Sequence, residues 1–252
     1  MITERRHQLI LQQLKSNQVL TTKDLMKLTG ASVSTIRRDL MQLEKQQLLL
    51  RVHGGCKSLN SHLHEEARVS QRQQMSLQQK RQIAKHAAAL VQNNEVIFLD
   101  SGTTVQKMIP FLQNKQQLLV ITNSVDNGSI LADYQIRTII LGGNLRSLTK
   151  AIVGPNIAIY LDNCHINRAF MGTNGFDYVH GYTTPDPDES AVKRLAIQHS
   201  DQAYILADSS KYGQVRFSKF ADLAAAQLIT DHLPTTAYHH LLDYTKVTEV
   251  KN

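Results

Sequence analysis

The sequence predicts an α/β chain in two parts: a small, basic, mainly helical amino-terminal module, then a larger, mainly parallel α/β domain. Two patterns carry this expectation. Residues 1–57 hold ten basic and four acidic residues, a net of +6, whereas the remainder holds 18 basic and 17 acidic residues. Beyond residue 75, short apolar runs alternate with helical patterns, which is how a parallel sheet covered on both faces is built.

The composition bounds what such a chain does. With 252 residues, 42% hydrophobic and 19% charged, it has material for one large or two modest globular domains. No uncharged apolar stretch approaches the roughly 18 residues of a spanning helix, so no membrane partner is expected. The start, Met1 to His7, is polar and charged where a secretion signal needs an apolar run. Cys56 and Cys164 have neither zinc nor disulfide spacing. A reducing cytoplasm, no metal and no cofactor are therefore expected. Residues 58–75, rich in Ser, Gln, His and Glu, read as a linker that turns helical towards Lys80. This gives an amino-terminal domain at 1–57 and a second domain at 76–252.

Within the first part, Leu9, Ile10 and Leu14 fall at helical spacing from Glu4 to about Asn17. Thr21 and Asp24 have the spacing of a capping box, and Leu25 and Leu28 supply a stripe that ends at Gly30. A third segment, 31–47, has Ser32 as its cap and Ile36, Leu40 and Leu43 on one face. Ser34, Thr35, Arg37 and Arg38 then lie off that stripe near the helix start, where a recognition helix meets base edges and phosphates. Asp39 is expected to pair locally or cap, and Arg38 has the plainer reading of a surface ion pair. Leu48–Val52 follow as a strand, and His53-Gly54-Gly55 as a tight turn whose glycines let the chain reverse and approach DNA. Arg51, His53 and Lys57 would touch the phosphate backbone from this wing. The whole is a winged helix-turn-helix whose partner is double-stranded DNA, read by Ser32, Ser34, Thr35, Arg37, Arg38 and the wing residues.

In the second part, Val96–Leu99, Leu118–Ile121, Thr138–Leu141, Ala169–Met171, Tyr204–Ala207 and Gln227–Thr230 read as strands. Arg81–Val91, Asp126–Tyr134, Gly154–Leu161 and Glu189–Ser200 read as helices between them. The first strand runs into Asp100-Ser101-Gly102-Thr103-Thr104 and then a helix, an order suited to an anion because loop amides and hydroxyls point outwards. It is neither a Walker loop nor a dinucleotide fingerprint, and a simple capped turn would also explain it. Thr122-Asn123, Gly142-Gly143, Thr173-Asn174 and Asp208 to Lys211 follow further strands, so four more polar loops are available at the carboxyl ends, where open parallel sheets bind ligands. Glu189 and Lys193, one helical turn apart, add a carboxylate and an ammonium, or else form an ordinary surface pair.

The strings ERRHQLILQQL (4–14), TTKDLMKLTGASVSTIRRDLMQLEK (21–45) and RVHGG (51–55) resemble the DeoR-type bacterial transcription regulators of sugar metabolism, with Thr-Ile-Arg-Arg-Asp-Leu as the most specific signature. FLDSGTT (98–104), TNS (122–124), ILGG (140–143), VGP (153–155), FMGTNGF (170–176), GYTTPDPDESAVKR (181–194) and ILADSSK (205–211) are similar to that family's effector domain. The resemblance implies a sensing domain with the fold of ribose-5-phosphate isomerases, which also carries oligomerisation. It implies a phosphorylated sugar effector, its phosphate at Ser101, Gly102, Thr103 and Thr104, its sugar near Asp100, Thr122, Lys193, Lys211 and Glu189. Asn123, Gly142, Gly143, Thr173 and Asn174 join this effector site from the neighbouring loops. The sequence departs from the family at Gln47, where Gly is usual, at Ser101, where Ala is more frequent, and at Thr173-Asn174-Gly175, where Ala-Asp-Gly is.

The expectation is thus a DNA-binding repressor of a carbohydrate operon, released by a sugar phosphate and acting as a homo-oligomer, dimer or tetramer. Two alternatives stand beside it. An isomerase-like enzyme would use Glu189, Lys193 and Lys211 as acid and base, though it has no use for a basic reading helix. A ligand-dependent activator has no discriminating feature in the sequence.

Overall fold

A computed structural model describes residues 2–17, 19–46, 48–52, 54–58 and 69–250. These fall into two compact units, within 1–65 and within 66–252.

In the first unit, helix α1 (Thr3–Asn17) is followed by strand β1 (Val19–Thr21), helix α2 (Thr22–Thr29) and helix α3 (Val33–Lys45). Strands β2 (Leu49–Val52) and β3 (Gly55–Ser58) form an antiparallel hairpin, and β3 also pairs with β1, giving the order β1-β3-β2. The local signals act as their chemistry requires. Thr21 and Asp24 form a reciprocal capping box at the start of α2, and Gly30 closes it in the left-handed conformation at φ 68°. Ser32 caps α3 by accepting from the Thr35 amide. Ile10, Leu14, Leu25, Ile36, Leu40, Leu43 and Leu49 make the core. Gln47 and His53 lie outside the described residues.

The second unit begins with a short helix α4 (Val69–Gln74) and helix α5 (Leu77–Ala89). Residues 69–75, expected within a linker, are thus helix and turn in this unit, because Val69 is buried and its amide donates to the Leu148 carbonyl. The chain continues through β4 (Val96–Leu99), a single helical turn α6 (Thr103–Gln106), β5 (Leu119–Thr122), α7 (Val125–Asp133) and β6 (Arg137–Ile140). A small hairpin, β7 (Asn144–Leu145) and β8 (Ile152–Val153), precedes α8 (Pro155–Leu161) and β9 (Ile166–Gly172). Then come β10 (Gly175–Asp177), β11 (Gly181–Thr184), α9 (Pro187–Gln198), β12 (Ser200–Leu206), β13 (Ser218–Ala221), β14 (Gln227–Thr230), α10 (Thr235–Leu242) and β15 (Val247–Glu249).

Among the described residues the main sheet has seven strands in the order β15-β14-β12-β9-β4-β5-β6, every neighbouring pair parallel. β10, β11 and β13 form a separate antiparallel sheet. The sheet is covered on both faces because successive residues point to opposite sides. Phe98, Ala169, Met171, Ile205 and Leu228 join one apolar cluster with α8 and α9 residues, while Ile97, Leu99, Phe170, Tyr204 and Leu206 join another with α5 residues. No described helix is long and apolar enough to cross a membrane.

The strand order fixes where a site forms. The chain lays β5 and β6 on one side of β4, then reverses and lays β9, β12, β14 and β15 on the other. In such sheets a crevice opens at the carboxyl ends where the order reverses, here between β4 and β9.

Candidate functional site

In the first unit, burial of Ile36, Asp39, Leu40 and Leu43 turns the opposite face of α3 outward, so that Ser32, Ser34, Arg37 and Arg38 are exposed and Thr35 is half-buried. The hydroxyls of Ser34 and Thr35 lie 2.9 and 3.0 Å from the Ser32 hydroxyl, so these three are first of all the cap of the helix. Arg37 and Arg38 make no ion pair with any described residue, which leaves two cations at the start of a solvent-facing helix.

One expectation is corrected here. Asp39 neither caps nor pairs locally: its carboxylate is buried against α1, accepting from Arg6 at 2.5 and 2.8 Å and lying 3.1 Å from His7 Nε2. Burial alone would raise its pKa, but the hydrogen bonds from Arg6 and His7 outweigh it and hold the carboxyl below the usual range. Arg51 is turned towards α3, its amide donating to Glu44 Oε1 at 2.9 Å and its guanidinium 3.8 Å from Glu44 Oε2. Gly55 is required by an intramolecular approach, since a Cβ there would stand 2.1 Å from the Leu20 carbonyl oxygen. The side chain of Lys57, like His53, lies outside the described residues.

In the second unit a cleft opens at the β4/β9 crevice, lined from three strand ends and three helices. After β4 come Asp100, Ser101, Gly102, Thr103 and Thr104; after β9, Gly172, Thr173 and Asn174; after β12, Asp208 and Lys211. α9 brings Glu189 and Lys193, while α4 and α5 with their connection bring Arg72, Met75 and Lys80. Gly102 and Gly172 pack so closely that a Cβ on Gly102 would lie 3.2 Å from the Gly172 Cα. That contact brings the β4 and β9 loops together at the floor.

The carboxylates are already engaged by protein groups. Asp100 Oδ2 accepts from Lys193 Nζ at 2.5 Å and from the Gly172 amide at 3.0 Å, with Lys193 also donating to the Gly172 carbonyl. Glu189 Oε1 accepts from Thr149 and from Arg146, both at 2.5 Å, and Arg146 also pairs with Asp186. Asp208 accepts from the amide and hydroxyl of Ser210, and so holds the turn that carries Lys211.

The donors are left in surplus. The hydroxyls of Ser101, Thr103 and Thr104 hydrogen-bond to no described residue, although each residue is at least nine-tenths buried. Lys80 is 4% exposed, and its ammonium donates to the Arg72 carbonyl. Desolvation pushes its pKa down to about 8, with Lys211, Arg72 and Lys107 lowering it and Asp208 opposing them. A cleft with Arg72, Lys80 and Lys211 facing unpartnered hydroxyls suits an oxyanion. Because α6 has a single turn, the side-chain cations carry more of this than a helix dipole does.

Thr122, Asn123, Gly142 and Gly143, expected at the site, do not line the cleft. Thr122 donates to the Leu99 carbonyl at 2.6 Å, and Asn123 donates to the Ile152 carbonyl at 3.2 Å. Gly143 is a close approach, its Cβ position 2.4 Å from the Val153 oxygen, and Gly142 is exposed. Their loops follow β5 and β6, one and two strands away from β4 on the side opposite β9.

Arg72, Met75, Lys80 and Arg146 were not anticipated. Lys80 had a signal: it sits at i−3, i−4 and i−7 from the buried Ile83, Ala84 and Ala87, a charge in an apolar stripe. Arg146 had none, because only the fold brings it to Glu189.

Comparison with known proteins places both units. Residues 6–62 match the DeoR-like helix-turn-helix domain, and residues 75–232 match the DeoR C terminal sensor domain. The chain belongs to the DeoR family. This DeoR-family regulator is 39% identical over 251 residues, spanning all of both chains, to a protein of Bacillus subtilis (strain 168) described as an uncharacterized HTH-type transcriptional regulator, FruR. It is 34% identical to the HTH-type transcriptional repressor GlcR of the same strain, covering 96% of this chain and 94% of that one. It is also 34% identical to a lactose phosphotransferase system repressor of Staphylococcus epidermidis, covering 80% and 81%. These relatives are transcriptional regulators, not enzymes. Among solved structures, a ribose 5-phosphate isomerase A from Methanocaldococcus jannaschii covers 54% of each chain with 19% identity and a TM-score of 0.41, a likeness that bears on neither ligand nor activity.

Proposed function

We propose that this DeoR-family regulator represses a carbohydrate-uptake or catabolic operon and leaves its operator when a phosphorylated sugar enters the β4/β9 cleft. The observation that carries the reading is the convergence of Arg72, Lys80 and Lys211 on the unpartnered hydroxyls of Ser101, Thr103 and Thr104. The phosphate takes these donors. Asn174, Glu189 and the Asp100–Lys193 pair then face the sugar hydroxyls. Relatives whose names include a transcriptional repressor and a lactose phosphotransferase system repressor support the sugar-operon assignment.

On DNA, Arg37 and Arg38 supply phosphate or base contacts from α3, and much of the affinity comes from counterion release. The protein works in the cytoplasm as a homo-oligomer, so that two reading modules meet two half-sites. Mobility shift on DNA from its own promoter region, with and without pentose and hexose phosphates, tests the reading. The expected result is a complex that one phosphorylated sugar dissolves and its unphosphorylated parent does not. A complex that forms only with the sugar phosphate would make the protein an activator or co-repressed regulator, and indifference to every sugar phosphate would remove the cleft's role.

A further inference from the structure

Helix α3 carries two carboxylates, and an arginine holds each. Asp39 is buried against Arg6, and Glu44 accepts from the Arg51 amide at 2.9 Å, with the Arg51 guanidinium 3.8 Å away. Along its outward face the helix exposes Val33, Arg37 and Met41 at i, i+4 and i+8, with Arg38 and Gln42 beside them. Two of these side chains are apolar: Val33 is 39% exposed and Met41 53%. The core of the unit is made from the opposite side of the helix by Ile36, Leu40 and Leu43, so packing does not account for either residue. Helix propensity does not call for Val33, because a β-branched side chain loses rotamer freedom in a helix and Ala would serve better.

We propose that Val33 and Met41 read thymine, each packing against the 5-methyl group of a thymine in the major groove. The proposal rests on the reading of α3 as the helix that enters DNA. Charge selects DNA as the occupant of this face: Arg37, Arg38 and Lys45 are exposed cations, while the two carboxylates of the helix are held by Arg6 and Arg51. Of the base edges in the major groove, only that of thymine presents a methyl group, so apolar side chains on a cationic, groove-facing helix have one partner there. Val33 and Met41 stand about 12 Å apart along the helix, at 1.5 Å per residue, and so meet different base pairs. Arg37 lies between them and supplies the polar contact to a phosphate or a guanine.

Fluorescence anisotropy with two versions of one promoter fragment tests this. The second version is prepared with deoxyuridine in place of thymidine, so that every thymine 5-methyl group is missing while every hydrogen-bonding edge is kept. At one fixed salt concentration the full-length protein is expected to bind the thymine fragment at least about tenfold more tightly than the uracil fragment, from two methyl contacts worth about fourfold each. In a Val33→Ala/Met41→Ala protein this preference should fall below about threefold, because affinity for the thymine fragment drops while affinity for the uracil fragment is kept. Alanine is the stronger helix former at both positions, and retained binding of uracil DNA shows that the unit is folded. A wild-type preference below about threefold would overturn the proposal and leave the DNA-binding reading of α3 standing. So would a variant that keeps the full preference, or one that loses affinity for both fragments alike, which would assign the two side chains to packing within the protein. Failure of the wild type to bind any fragment of its promoter region would overturn the reading of α3 and this proposal together.

Discussion

Arg6 on the first helix and Asp39 on the third form a two-pronged buried ion pair, Nε to Oδ2 at 2.5 Å and Nη2 to Oδ1 at 2.8 Å. The pair adds to the buried face of Ile36, Leu40 and Leu43: with Asp39 turned into the core, the adjacent Arg37 and Arg38 are turned out of it.

Replacing Arg6 by Ala leaves the Asp39 carboxylate buried with only His7 beside it. Removing one partner of a buried pair costs about 3 kcal/mol, and the effect is expected as faster hydrogen exchange throughout α3 and a lower first transition in calorimetry of the full chain. The pH dependence follows from the lowered pKa of Asp39. The stabilisation is fully present above the unfolded carboxyl value of about 3.9 and is lost as pH falls through the lower folded value. Urea midpoints measured between about pH 6 and pH 3 should therefore fall more steeply in the wild type than in an Asp39→Asn protein.

Arg37→Ala and Arg38→Ala should each weaken operator binding without unfolding the chain, because neither side chain packs in the core. Where the arginine neutralises one DNA phosphate, its removal lowers the slope of log K against log salt by about 0.9. Fluorescence anisotropy across a salt series measures it, and unchanged affinity in both variants would displace α3 as the reading helix.

Effector binding is expected to be sensitive to alkaline pH through Lys80. Its pKa of about 8 means the ammonium is lost just above neutrality, while the second ionisation of a phosphate monoester, near pH 6, is already complete. Sugar-phosphate affinity should thus fall above about pH 8, by up to about tenfold per pH unit. The unliganded sensor unit responds in the opposite sense. With the folded pKa below the unfolded value of about 10.4, folding releases a proton, and this group's penalty on stability eases as pH rises from about 8 to 10. In a Lys80→Met protein, calorimetric titration should give weaker binding with a flat pH profile over this range.

Thr103→Glu puts a carboxylate among the cleft donors. Operator binding should persist while release by the sugar phosphate is lost, which mobility shift reads directly. Release at unchanged effector concentration would remove Thr103 from the phosphate site.

What was legible in the sequence was what the chain decides locally. Thr21 with Asp24, Ser32 and Gly30 marked the helix ends because their hydrogen bonds span two to four residues. Strands such as Val96–Leu99 and Gln227–Thr230 were legible because burial on both faces makes them continuous apolar runs. The order of those strands was not legible, and it alone separates Asp100, Thr173 and Lys211, which line the cleft, from Thr122 and Gly142, which do not. The partner of Asp39 was hidden for the same reason, since Arg6 lies 33 residues away and only helix packing joins them. Strand β1 escaped notice because three residues carry too little pattern, and its partner β3 is more than thirty residues on.

Under the proposed function, operator DNA and a phosphorylated sugar oppose each other's binding on one protein. This opposition is tested most directly by measuring the dissociation constant of the sugar phosphate twice, for the free protein and for the protein saturated with operator DNA. Operator DNA is expected to weaken sugar-phosphate binding by at least about fivefold, and by the same factor as the sugar phosphate weakens DNA binding. Equal affinity for the free and DNA-bound protein would contradict it, because such a ligand shifts no equilibrium however tightly it binds.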